Sequence, residues 1–157
     1  MASDAGRYKR PESVLVVVYS TGGEVLLLRR TRPADFWQSV TGSLAWGESP
    51  LHAARRELYE ETGIMAGSRL VDLSHSVRFP ILPAWRGRYA PNARTNLEHW
   101  FALPLPQRCL IRLHRREHSA YRWLPFPQAI RQASSWTNRD AIRLLFEGGK
   151  RGGYSLF

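Results

Sequence analysis

Apolar and polar positions along the chain follow two periods in turn. "SVLVVVY" (13–19) is an unbroken, β-branched apolar run, the pattern of a buried strand. "STGGE" (20–24) reads as a hairpin turn and "VLLLRR" (25–30) as its partner strand. "FWQSVTG" (36–42) predicts a third short strand that ends at a glycine. The spacing then turns helical in "PLHAARRELYEET" (50–62). Ser49 is placed as N-cap, Pro50 takes the first turn and Gly63 is the stop. Leu51, Ala54 and Leu58 are expected to form the apolar side of this helix.

Two further strands are predicted in "RLVDLSHSVRF" (69–79) and "LEHWFALPL" (97–105), separated by a loop (80–96) bearing Pro, Arg and aromatic residues. "CLIRLH" (109–114) and "AYRWL" (120–124) read as short strands or extended segments. Two helices are expected to close the chain, Pro127–Ala133 and Asn138–Phe146, the second capped by Thr137. Residues 1–6 and 148–157 read as loose ends. Interspersed strands and helices, with no repeat and no linker, predict one domain spanning 1–157. Its class is α/β, a mixed sheet packed between helices.

Charge changes the picture. The 157 residues hold 23 Lys and Arg against 13 Asp and Glu, a formal charge of +10, which favours anionic partners. No apolar run is long enough to span a bilayer, and "MASDAGRYKRPE" lacks the apolar core of a signal peptide. Cys109 is the single cysteine, so no intrachain disulfide forms, and a cytoplasmic location is the default expectation.

Against that basic background, residues 42–64 crowd together Glu48, Glu57, Glu60 and Glu61. On a helix the last three stand at i, i+3 and i+4, which is expected to put their carboxylates on one face. Two such charges about 4 Å apart repel by roughly 4 kcal/mol at an effective dielectric of about 20. Either they splay into water with Arg55 and Arg56 as partners, or a cation sits between them. Carboxylate oxygens suit a hard ion such as Mg²⁺ or Mn²⁺. Zinc is disfavoured, because His75, His99, His114 and His118 lack ligand spacing and His52 lies on the helix itself.

The frame around the acids is G-x5-E-x7-R-E-U-x-E-E-x-G-U, with U a bulky aliphatic residue. Gly42, Glu48, Arg56, Glu57, Leu58, Glu60, Glu61, Gly63 and Ile64 fill its nine fixed positions. This segment resembles the signature of the Nudix hydrolases. The resemblance implies an α/β/α sandwich whose box (42–64) binds Mg²⁺ and cleaves a diphosphate linked to another moiety. It also implies Glu57, Glu60 and Glu61 as metal ligands and catalytic acids, with Arg56 orienting a box glutamate and Gly42 and Gly63 serving backbone geometry.

Outside the box, "YKRP" (8–11), "DFWQSVTGS" (35–43), "RYAP" (88–91), "EHSAYRWL" (117–124) and "SWTNRDAI" (135–142) resemble the branch of that family acting on dihydroneopterin triphosphate. This resemblance implies release of pyrophosphate from that pterin, a step of folate synthesis, with dATP as a second substrate. It implies that Lys9, Arg30, Thr41 and Ser135 contact substrate, and that Phe79, Pro80, Ile81 and Leu82 cover the pterin. Glu117 is implied as an acid reaching substrate and metal from outside the box, as ligand or base. Two stretches depart from the pattern: "FPILPAWRG" (79–87) brings two prolines, and Ala45-Trp46 stands where loop residues are often acidic or polar. Two other readings compete with this one. In the first, a Nudix enzyme acts on nucleoside triphosphates or RNA 5′ ends; in the second, the scaffold binds nucleic acid without catalysis, which retention of every box glutamate disfavours.

Overall fold

The computed structural model describes residues 6–150. Seven strands and three helices follow one another as β1 (Glu12–Ser20), β2 (Glu24–Arg30), β3 (Trp37–Gln38), β4 (Val40–Ser43), α1 (Pro50–Thr62), β5 (Val71–Pro80), β6 (Thr95–Leu105), β7 (His118–Pro125), α2 (Phe126–Gln132) and α3 (Trp136–Lys150). The strands form one mixed sheet in the order β3-β2-β1-β6-β5, with β4 added on β1 and β7 on β2. β1 and β6 run parallel, and the other pairings are antiparallel. Among the described residues, no helix is long and apolar enough to cross a membrane.

The apolar run of β1 is explained by the layers on its two sides. Val14, Val16 and Val18 pack with Ala53, Ala54 and Leu58 of α1, whereas Leu15, Val17 and Tyr19 pack with Phe126, Ala129, Ile142 and Leu145 of α2 and α3. β2 splits in the same way, Leu26 and Leu28 toward α1 and Val25 and Leu27 toward the other helices. A strand covered on both faces needs no polar positions. The result is the expected mixed sheet between helices.

The direction of each strand gathers the functional segments at one end. The start of β1 is flanked by the start of β6, where Ser13 pairs with Glu98. β5 runs against β6 and ends there, Phe79 opposite Asn96. β1 holds β2 near its far end, at Tyr19–Val25, and β4 near its start, from Ser13–Ser43 to Val16–Val40. The end of β2 and the start of β7 therefore also lie at this end, with Arg30 opposite His118.

Several expected boundaries shift. The third strand is two short ones, because Ser39 between them donates its backbone N–H to Asn138 Oδ1 (2.7 Å), so β3 pairs with β2 and β4 with β1. Residues 109–114 form no strand and are tied to α1 by Arg112 N–H to the Thr62 carbonyl (2.9 Å). α3 begins at Trp136, and its cap is Ser135, whose Oγ accepts Asn138 N–H (3.2 Å), in place of Thr137. The helix continues through Lys150, so 148–150 are not a loose end; residues 1–5 and 151–157 lie outside the described residues.

Candidate active site

α1 forms as its sequence predicts. Ser49 Oγ accepts His52 N–H (3.2 Å), and Gly63 adopts the left-handed conformation (φ 78°) while donating its N–H to the Tyr59 carbonyl. Its buried side differs from the expected one. Leu51 is exposed, and the inward stripe is Ala54, Leu58 and Glu61, with Glu61 only 3% exposed. At about 100° per residue, that stripe carries Glu57 along its flank and turns Glu60 about 100° away from Glu61.

The three acids therefore do not share one environment. Glu57 and Glu61 line a cleft of about 910 Å³ at the end of the sheet where the strands gather. Glu60 lies outside this cleft, half exposed, its carboxylate 3.2 Å from Arg56. Its expected place beside the other two is corrected by the helix geometry. Glu117 reaches the cleft from the segment before β7. Although its side chain is exposed, its main chain is fixed: Thr31 donates N–H to the Glu117 carbonyl (2.9 Å) and Glu117 donates to the His114 carbonyl (3.0 Å).

Oxygens of Glu61 and Glu117 and a ring nitrogen of His118 lie within 4.8 Å of one another. Among the described residues, Glu61 accepts a single hydrogen bond, from Thr41 N–H (3.3 Å). Burial first, then the nearby Glu57 and Glu117, raises its carboxyl well above the usual range. Burial likewise pushes Glu57 up to about 7, against the pull of Arg56. Buried carboxylates that repel one another fit an added cation, and their oxygens match Mg²⁺ or Mn²⁺. His118 is buried and its pKa is lowered to about 4, chiefly by burial and then by Arg30 and His114, so its ring is neutral.

Arg56 organises the box. It donates to both Glu48 oxygens (2.8 Å each), to Glu57 (2.8 Å), to Glu60 (3.2 Å) and to the Ser43 carbonyl (3.0 Å). Every guanidinium nitrogen is thereby engaged, leaving this residue to orient Glu57 and not to meet substrate. Gly42 serves a different purpose from the expected backbone geometry. A Cβ built on it overlaps the Glu57 carboxyl, so the missing side chain makes room for the acid.

The remaining expected contacts converge on the same cleft: Lys9, Arg30, Thr41, Phe79, Pro80, Ile81, Leu82 and Ser135 all line it. Lys9 is held by its N–H to the Arg88 carbonyl (2.8 Å), and burial together with Arg88 lowers its pKa. Arg30 bonds the Arg32 carbonyl (2.9 Å) and lies over the Phe36 ring. Phe79 and Pro80 still belong to β5; Ile81 is buried and Leu82 is exposed. Trp46, one of the departures from the pattern, donates Nε1–H to the Tyr8 carbonyl (2.7 Å), and Arg10 bonds the carbonyls of Ala45 and Glu48. The loop thus fastens the segment that carries Lys9.

A family profile for the NUDIX domain matches residues 9–145. The chain belongs to the Nudix family. It is 45% identical to the dihydroneopterin triphosphate diphosphatase of Escherichia coli K12 over 139 residues, 86% of this chain and 91% of that protein. Identity to the Haemophilus influenzae protein of the same name is 37% over 141 residues, 87% and 88% of the two chains. The solved E. coli dihydroneopterin triphosphate pyrophosphohydrolase superposes with a TM-score of 0.79, covering 87% of this chain and 95% of that one.

Several cleft residues of this Nudix chain have no site role in the sequence reading: Gln38, His118, Thr137 and Asn138, although they lie within its motif stretches, and Ser13, Asn96 and Glu98. One signal was present. Asn96 and Glu98 are polar at alternate positions of a strand whose next members in that register, Trp100 and Ala102, are core residues.

Proposed function

We propose that this Nudix hydrolase converts dihydroneopterin triphosphate to dihydroneopterin monophosphate and pyrophosphate. The carrying observation is the cleft itself, in which Glu57, Glu61 and Glu117 stand among Lys9, Arg30, Arg32 and Arg116, with Phe36, Phe79 and Trp136 on the same wall system. Acids suited to a divalent ion, bases suited to phosphates and rings suited to a flat heterocycle meet in one space. Likeness over most of the chain to diphosphatases named for this substrate supports the same reading.

Glu57, Glu61 and Glu117 are the residues we assign to hold Mg²⁺, with Mn²⁺ as a substitute. Such an ion supplies charge neutralisation of the diphosphate and a lower pKa for the attacking water. Lys9 and Arg30 bind the phosphates and balance the charge that develops as the P–O bond breaks. Thr41 N–H fixes the Glu61 carboxylate, Arg56 fixes that of Glu57, and Ser135 shapes the wall at the start of α3. A carboxylate of the trio accepts the proton of the attacking water. Because Glu60 faces Arg56 and solvent, its part is to orient Arg56.

The test is hydrolysis of dihydroneopterin triphosphate with Mg²⁺, with pyrophosphate as the measured product. Glu57→Gln and Glu61→Gln are each expected to lower kcat/KM at least about 100-fold. If both variants stay within a few-fold of the unaltered enzyme, the metal assignment falls. Nucleoside triphosphates and RNA 5′ ends carry phosphates of the kind that cationic side chains bind, so dATP and triphosphorylated RNA are compared in the same assay. A large preference for either transfers the activity to that substrate.

A further inference from the structure

The inner end of the cleft holds a buried carboxyl that the hydrolytic chemistry does not use. Along β6, alternate side chains point toward α2 and α3, and Trp100 and Ala102 fill the core there. In the same register, Asn96 and Glu98 carry polar groups onto that face, each only 4% exposed. Across the ladder, Glu98 lies opposite Ser13 on one side and Val77 on the other. Ser13, Asn96, Glu98 and Thr137 all line the cleft.

Their hydrogen bonds leave capacity to spare. Asn96 donates Nδ2–H to Ser13 Oγ (2.8 Å), and Glu98 Oε1 accepts Trp100 Nε1–H (3.1 Å). A carboxylate has about four acceptor positions. Among the described residues no Lys or Arg pairs with Glu98; burial pushes its pKa up to about 7, with Trp100 and then Thr137 opposing that rise. An acid in such a place, with acceptor positions left over and facing a cavity, is suited to a neutral ring rich in N–H donors.

We propose that Glu98 reads the edge of the substrate ring, its carboxylate accepting hydrogen bonds from the ring N–H and the exocyclic amine of a 2-amino-4-oxopyrimidine. Pterins and guanine share that pair of adjacent donors. Adenine presents an amine beside an acceptor nitrogen, so one carboxylate oxygen faces a lone pair. A site built to receive two donors rejects a ring that lacks one, because its own buried group is left unpaired. Trp100 holds the carboxylate in place, and Phe79 and Trp136 line the same cleft as aromatic surfaces for the ring. The assignment rests on the proposed function insofar as it takes the substrate to be a heterocyclic triphosphate. It adds the group that chooses among heterocycles.

The decisive variant is Glu98→Gln, compared with the unaltered protein on dihydroneopterin triphosphate and on dATP. The expected result is a KM for the pterin raised at least about 30-fold with kcat within about threefold, because a donor now opposes a donor. On dATP, kcat/KM is expected to hold or rise, which also certifies the fold. An unchanged pterin KM, or an equal loss on both substrates, overturns the proposal. A second measurement uses the unaltered protein: inhibition by neopterin is compared with inhibition by its analogue lacking the 2-amino group. The analogue is expected to bind at least about tenfold more weakly, and equal binding overturns the proposal. Should the protein bind these rings in that order yet hydrolyse no pterin triphosphate, the proposed reaction falls and the ring assignment stands.

Discussion

Gly42 lies so close beneath the Glu57 carboxyl that a β-carbon there would occupy the same space as the acid. The strand and the helix are thus joined through a gap shaped for one side chain. Gly42→Ala is expected to displace a flexible carboxyl and not the backbone. Activity should fall about 100-fold, the usual effect of misplacing a reacting group by about 1 Å, while the melting temperature stays within a few degrees. Steady-state kinetics beside thermal denaturation checks both halves. An unfolded variant would mean that the glycine serves the fold.

Arg56 and Glu48 fasten the loop of the box to α1. The bidentate pair holds the Glu48 carboxyl down at about 2, through the Arg56 hydrogen bonds first, with the Ala45 N–H and His52 also contributing. Its folded pKa lies below the unfolded value, so the stabilisation is present above about 4.5 and is lost as pH falls toward 2. Denaturant titrations of Glu48→Gln and the unaltered protein are expected to differ at pH 7 and converge near pH 2. Arg56→Ala, which strips several charged hydrogen bonds, should cost about 3 kcal/mol at pH 7.

Glu98 has the opposite linkage. Burial raises its folded pKa to about 7, above the unfolded 4.5, so folding loses free energy as pH climbs between those values and no more above them. The gap of about 2.5 pH units corresponds to roughly 3 kcal/mol. Glu98→Gln should therefore gain stability relative to the unaltered protein between pH 4 and pH 8, by up to that amount. Parallel denaturation curves at the two pH values measure it, and a gap independent of pH contradicts it.

A divalent ion binding the folded acids must stabilise the fold. At Mg²⁺ ten times above its dissociation constant, the gain is about 1.4 kcal/mol, read as a rise in melting temperature. Glu61→Gln should melt at the same temperature with or without the ion. Glu60→Gln should keep most of the rise, since its carboxylate is turned to Arg56 and solvent.

Local patterns anticipated much of this molecule. The apolar run of β1, the cap and stop of α1 and the helical spacing between them are each dictated by neighbours in sequence, and each appears where expected. The break at Ser39 depends on Asn138, a residue 99 positions away, and no local pattern carries that bond. For the site, spacing on a helix related Glu57 to Glu61 but could not say which flank of α1 would meet the sheet, so Glu60 was grouped with them. Glu117 and Ser135 came through motif likeness alone. Glu98 reads as a strand residue and His118 as a histidine without ligand spacing, because what distinguishes them is the cleft they face, which no local pattern carries.

The bonds from Trp46 to Tyr8 and from Arg10 to the box loop bear on how this chain is handled at the bench. Trimming back to Glu12 would remove Lys9 and the anchor of its neighbours, opening one side of the catalytic chamber to water although every strand and helix were kept.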